Sequence, residues 1–230
     1  MNAFTRKLMD WHEKPLEYKL RSINYRICKI RDKKEKIFFE RLKKLDFDGI
    51  ISRDRLHGKS QFSVQNATIY GQITISALVE AIGEAERFFG KFDNFIDIGS
   101  GKGKACIYAA RKFKFNKIIG IDFSKELTDI AKSNKQKLGA RHQNIKFIHA
   151  DATEWKIPEG KNLVFLYNPF NEKIMEKFIS NNLEHFLNND SAIAYVSDWK
   201  SDVLIKAGFE TVFRGQEFRT SIYKMSFSSN

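Results

Sequence analysis

The stretch Phe95-Ile96-Asp97-Ile98-Gly99-Ser100-Gly101-Lys102-Gly103-Lys104 constrains this chain more than any other. An apolar, β-branched run ends in an acid and passes into three glycines spaced two apart. Small and apolar residues follow, Ala105 to Ala110, with a basic close at Arg111-Lys112. Such a pattern predicts a buried strand, a tight turn and the start of a helix. Glycines let the backbone of that turn take positive φ and let a ligand approach closely. The helix start offers unpaired N–H groups to an electron-rich ligand. A ligand of nucleoside-like shape is the expectation.

Two common nucleotide patterns do not fit. A dinucleotide fingerprint needs G-x-G-x-x-G, whereas the spacing here is Gly99-x-Gly101-x-Gly103. A P-loop needs G-x-x-x-x-G-K-[ST], and Gly103-Lys104-Ala105 lacks both the spacing and the hydroxyl that would meet magnesium. The rest of the chain has to separate what remains.

From residue 94 onward strand-like and helix-like segments alternate, which predicts a parallel sheet with crossover helices. Strands are expected near 93–98, 117–121, 145–149, 162–167 and 191–196, and helices near 102–112, 124–138, 171–187 and 199–207. Phe209–Arg214 and Phe218–Met225 read as a closing hairpin about Gly215. Ahead of the glycine turn, Ile75, Leu78, Val79, Ile82, Ala85 and Phe89 share a helical face that Gly90 closes.

The strand ends carry polar residues in succession. Asp122, 25 positions after Asp97, stands at the tip of the second strand before Phe123-Ser124. It can accept hydrogen bonds from ribose hydroxyls or cap the following helix, a role Ser124 also fills. The third strand ends at Asp151-Ala152, a carboxylate suited to an adenine amino group beside a small residue that leaves room for the ring. The fourth ends at Asn168-Pro169-Phe170. Open α/β sheets bind ligands along this carboxyl edge.

Together Asp97-x-Gly99-x-Gly101, Asp122, Asp151-Ala152 and Asn168-Pro169-Phe170 resemble motifs I to IV of the class I S-adenosylmethionine (AdoMet) methyltransferases, over about residues 66–225. The resemblance implies an α/β, Rossmann-like seven-stranded sheet of order 3-2-1-4-5-7-6 with the last strand antiparallel. It also implies AdoMet as methyl donor and S-adenosylhomocysteine as product. The cofactor residues it implies are Tyr70, Gly71, Gln72, Asp97, Gly99, Ser100, Gly101, Gly103, Asp122, Phe123, Asp151, Ala152 and Asn168. Those implied at the acceptor are Asn168, Pro169 and Phe170. Tyr70-Gly71-Gln72 with the Asn-Pro-Phe segment further resembles the non-SET lysine methyltransferases. Gln72 stands there for an acid and Pro169 for a second Asn. Asn-Pro-Phe is also similar to the Asn-Pro-Pro-Tyr motif of amide, adenine and glutamine nitrogen methyltransferases.

In that reading Asn168 accepts hydrogen bonds from an attacking NH₂, Pro169 stiffens the turn and Phe170 packs on the target. The expected activity is methyl transfer to nitrogen, with a protein side chain ahead of RNA, DNA or a small molecule. A non-catalytic nucleoside-binding or docking protein on the same fold is the alternative of a different class.

Residues 1–65 read as a basic, largely helical extension before a methyltransferase domain at 66–230. Leu16, Leu20, Ile23, Ile27, Ile30, Ile37, Phe38, Leu42 and Leu45 recur at helical steps, and Pro15 suits the first turn. Such a stripe packs on the domain with a solvated basic face, dimerises, or sits beside a polyanion. The first 60 residues hold 17 Lys and Arg against 9 Asp and Glu, most of the net charge of +12. A balance of this sign serves solubility or contact with nucleic acid, an anionic membrane surface or an acidic protein. Asp46 to Gln65 reads as a polar link whose His57 is a surface residue. No apolar run approaches the roughly 20 residues of a membrane span. The first residues lack a secretory pattern, and Cys28 and Cys106 form no C-x-x-C pair, so a cytoplasmic protein with free thiols is expected. Its five histidines show no metal-ligand spacing, and no G-x-S-x-G elbow is present.

Overall fold

The computed structural model describes residues 16–49, 71–139 and 142–226. Pro15, most of the polar link with His57, and Tyr70 lie outside them. The order of elements is α1 (Leu16–Glu35), a π-helical turn (Lys36–Arg41), α2 (Ile75–Phe89), β1 (Asn94–Ile98), α3 (Lys104–Lys112), β2 (Lys117–Asp122) and α4 (Lys125–Gln136). Then come β3 (Ile145–His149), β4 (Asn162–Tyr167), α5 (Glu172–Asn188), β5 (Ala192–Val196), α6 (Ser201–Lys206), β6 (Phe209–Arg214) and β7 (Ser221–Met225).

Seven strands form one sheet of order β3-β2-β1-β4-β5-β7-β6. The first five are parallel, and β7 runs antiparallel to both β5 and β6. This is the order and polarity the resemblance implied. β1 and β5 are buried along their whole length, as expected of strands covered on both faces. Alternation then divides the core. Phe95, Leu163 and Phe165 face one layer with Ile82, Tyr108 and Ala131 of α2, α3 and α4. Ile96, Val164 and Leu166 face the other, with Met175 and Phe178 of α5 and Leu204 of α6.

Short polar residues set the helix starts: Thr74, Ser124 and Asn171 accept hydrogen bonds from the amides of Ala77, Leu127 and Ile174. β7 begins at Ser221 rather than Phe218, because Arg219 turns with φ of 49° and only Gly215 N to Thr220 O closes the loop.

The N-terminal helix differs from its expected packing. Ile27, Ile30, Phe38 and Leu42 of the apolar stripe are exposed, whereas Leu45 packs against the first core layer. Polar groups also tie the helix to the domain. Arg31 donates to Ser76 Oγ at 2.8 Å, Asp32 accepts from Ser76 N at 3.1 Å, and Glu35 meets Lys112 at 2.7 Å. The π-helical turn then brings Glu40 inward, and Phe47 enters the first core layer. Among the described residues no helix is long and apolar enough to cross a membrane.

Candidate active site

The turn after β1 is built by hydrogen bonds that its glycines make sterically accessible. Gly99 N and Ser100 N both donate to Ile121 O at 2.9 Å, and Gly103 N donates to Ser100 O at 2.9 Å. Gly99 and Gly103 have φ of 79° and 83°. A Cβ on Gly99 would stand 2.6 Å from Pro169 Cβ, and one on Gly103 would stand 2.4 Å from Phe147 Cζ. Both positions therefore need glycine twice over, for conformation and for space.

Asp122 holds this turn to the next helix. Its Oδ2 accepts from Gly101 N and its Oδ1 from Ser124 N, each at 2.8 Å. Capping of α4 belongs to Ser124. A carboxylate has about four acceptor positions, so Asp122 retains capacity for further donors. Burial pushes its carboxyl up to about 6, against the two backbone hydrogen bonds that favour the charge. Burial pushes Asp97 up to about 7, offset in part by Cys106 Sγ at 3.6 Å.

Beside the turn lies a cavity of about 30 Å³, bounded by Gly71, Gln72, Asp97, Gly99, Ser100, Lys104 and Tyr167. The N-terminal segment reaches it through Lys104, which lines it. Lys104 Nζ donates to Gln72 Oε1 at 2.8 Å and pairs with Glu40 Oε1 at 3.0 Å; Glu40 is buried and Lys104 largely so. Lys102 Nζ reaches Asp46 Oδ1 and Asp48 O, each at 2.7 Å. Asn134 of α4 exchanges two 2.8 Å hydrogen bonds with the Asp46 backbone. Both lysines of the glycine turn are thus held by acids that precede it by more than fifty residues.

The other half of the edge is arranged differently. A second cavity of about 280 Å³ lies between the start of α2 (Ile73, Thr74, Ala77), the ends of β4 and β5 (Tyr167, Val196, Ser197) and the β6–β7 loop (Glu217, Phe218, Arg219). Ile73 and Tyr167 border both cavities. Asn168, Ser197 and Arg219 all sit at positive φ, 40°, 56° and 49°. Backbone strain of this kind concentrates at functional sites. Asn168 Oδ1 accepts from Lys200 Nζ at 3.3 Å. Arg219 lies 3.8 Å over the exposed Trp199 ring and 3.6 Å from the buried Asp198.

Of the residues singled out from sequence, Gly71, Gln72, Asp97, Gly99 and Ser100 meet at the first cavity, with Gly101, Gly103 and Asp122 shaping its turn. Asn168 follows Tyr167, the residue between the cavities. Pro169 packs on Gly99. Asp151 Oδ1 accepts from Thr153 N and Oγ1, and Ala152 packs on the second core layer. Phe123 offers its carbonyl to His149 Nε2 at 2.9 Å. Phe170 is buried near Phe178, with ring centroids 6.4 Å apart, and lines neither cavity. Glu40, Asp46, Lys102, Lys104, Tyr167, Ser197, Glu217 and Arg219 were not picked out. Of these, only the lysines inside the glycine turn and Tyr167 before Asn168 carried a signal.

Comparison with known proteins adds independent findings. Residues 90–207, more than half of the chain, match the family model described as a methyltransferase domain. The release factor glutamine methyltransferase of Bacillus subtilis (strain 168) is 32% identical over 75 residues, which span 32% of this chain and 25% of that protein. An S-adenosylmethionine-dependent methyltransferase from Clostridium acetobutylicum aligns at a TM-score of 0.53 and 11% identity, over 68% of this chain and 94% of that one. A glycopeptide N-methyltransferase solved with S-adenosyl-L-methionine aligns at 0.52 and 9% identity, over 65% and 94%. At such identities the structural likeness is one of fold.

Proposed function

We propose, for a chain that belongs to the class I AdoMet-dependent methyltransferase superfamily, that AdoMet binds beside the glycine turn and that the methyl acceptor is a nitrogen. The reading rests above all on one observation: two cavities abut at Ile73 and Tyr167, one at the glycine turn and one at the strained ends of β4 and β5. The residues present suit the cofactor. Gly99 and Gly101 expose backbone at positive φ, and Asp122 keeps acceptor capacity for ribose hydroxyls after bonding Gly101 and Ser124.

When bound, AdoMet supplies a methyl group already activated on a sulfonium. The protein's work is then to align a neutral nucleophile and exclude water. Tyr167 stands where acceptor and donor would meet. Asn168 Oδ1, shared with Lys200, can accept from an N–H of the acceptor and orient its lone pair. Pro169 packs this segment on the glycine turn at Gly99, joining the two halves of the site. A protein side chain is the favoured acceptor. Exposed basic residues of α1 such as Lys33 and Lys34 favour nucleic acid as a second reading.

Calorimetric titration with AdoMet and S-adenosylhomocysteine tests the cofactor. Saturable binding of both, lost in Gly101→Arg, is the expected result. Absence of heat with either nucleoside, or unchanged affinity in the variant, removes the assignment.

A further inference from the structure

We infer that the second cavity takes an aliphatic ammonium group and that Glu217 selects it, an inference that rests on the methyltransferase reading and narrows its acceptor. The volume of about 280 Å³ lies just below the roughly 300–1,000 Å³ of sites for whole small molecules. It suits one side chain or a short alkyl amine. Ile73, Ala77, Val196 and Phe218 make the walls apolar, as a methylene stem requires.

The polar component of this wall is unbalanced. Glu217 Oε1 is buried with no hydrogen-bond partner, and so is Oε1 of Glu80, one turn beyond Ala77 on α2. Burial raises the Glu80 carboxyl above its usual range; interaction with the Thr220 hydroxyl works against that rise, and the nearby charge of Glu217 adds to it. Among the described residues neither makes an ion pair. The basic residue in the wall, Arg219, is engaged by Trp199 and Asp198. An unpaired buried carboxylate is costly until a cation satisfies it. An ammonium does so, and the aromatic rings of Tyr167 and Phe218 add attraction for a cation. A phosphate or carboxylate would instead meet like charge.

Before methyl transfer the ammonium must release one N–H proton to solvent, which leaves the electron pair on nitrogen as the attacking lone pair. Glu217 acts ahead of that step, as the residue that selects and holds the cation.

The test begins without AdoMet. n-Butylammonium, n-butanol and butyrate are titrated into the protein and followed by calorimetry or by NMR. Only n-butylammonium should bind. Glu217→Gln, which keeps the shape and removes the charge, should weaken it at least tenfold, and Glu217→Asp should retain part of the affinity. Equal binding of butyrate, or an unchanged affinity in Glu217→Gln, overturns the proposal. AdoMet affinity, measured on the same samples, should be the same in both variants as in wild type, which reports intact folding. If wild type fails to bind AdoMet, the methyltransferase reading falls while the ammonium result still judges the cavity. Finally, tritiated methyl supplied to lysate with the enzyme should appear on an alkyl amine nitrogen. Label recovered on a nucleobase or on oxygen overturns the assignment.

Discussion

The two halves of the sheet's carboxyl edge are built on opposite terms. Around β1 and β2 the polar groups are satisfied by the protein itself: Asp122 binds two amides, Lys104 binds Glu40 and Gln72, and Lys102 binds Asp46. Positive φ is carried there by glycine. Around β4, β5 and the β6–β7 loop, Asn168, Ser197 and Arg219 take left-handed conformations without being glycine, and Glu217 and Glu80 keep buried oxygens unpaired. One half is a seat whose charged groups are already paired within the protein, with acceptor capacity left on Asp122. The other stores strain and unmet polar capacity that a ligand can satisfy.

The sharpest way to break this contrast is to strip a partner from the satisfied half. Glu40→Ala leaves Lys104 largely buried and half-paired beside the first cavity. Losing one member of a buried ion pair costs about 3–5 kcal/mol. Urea denaturation should show that loss, with AdoMet binding weakened in parallel. A change within the noise would mean that the N-terminal segment merely rests on the turn.

Gly103→Ala should follow, at about 2–4 kcal/mol, from a left-handed Cβ and from overpacking against the Phe147 ring. The companion variant Phe147→Ala should not rescue it fully, since φ of 83° remains unfavourable. Full rescue would place the whole cost in the clash.

How much of this was legible in the sequence follows the same division. The glycine turn, the acidic tip of β2 and the succession of strands and helices depend on local patterns, namely apolar periodicity, glycine spacing and helix caps, while the order of strands in the sheet followed from the family resemblance. They were readable in advance. Glu40 and Asp46 were not, because they lie 64 and 56 residues before Lys104 and Lys102, inside segments that read as a basic helix and a polar link. The second cavity was invisible for a related reason. It combines a helix start, two strand ends and a loop, each unremarkable alone. Phe170 entered as a candidate through the likeness of the Asn-Pro-Phe segment to methyltransferase motifs, and it lines neither of the two cavities. The chain turns at Asn168 with φ of 40°, and Phe170 lands among the core residues of α5.

A third expectation uses pH. Asp122 serves ribose hydroxyls best as a carboxylate, and burial raises it to about 6. AdoMet affinity should therefore rise with pH through about 6 and be roughly tenfold, or 1.4 kcal/mol, weaker at one unit below that point. Stability of the ligand-free protein runs the other way. With folded values raised above the unfolded 3.8, Asp122 and Asp97 contribute stability at low pH that is lost as pH rises through about 6 and about 7 respectively. Asp122→Asn should flatten the affinity profile. An unchanged profile would assign the ribose contact elsewhere.

The smallest effect probes the strained half. Ser197→Gly removes a Cβ from a left-handed position, a relief of about 1–2 kcal/mol, but also gives the unfolded chain more freedom to lose, about 0.5–1 kcal/mol. The two nearly cancel, so stability should hold or rise by up to about 1 kcal/mol. The sign is the point: adding a Cβ at Gly103 and deleting one at Ser197 should move the midpoint of denaturation in opposite directions. If the strain has a function, Ser197→Gly should also lower turnover while AdoMet affinity stays constant, because only the second cavity loses a fixed wall. A variant that is less stable and fully active would show that Ser197 is held by its own contacts and stores nothing for the site.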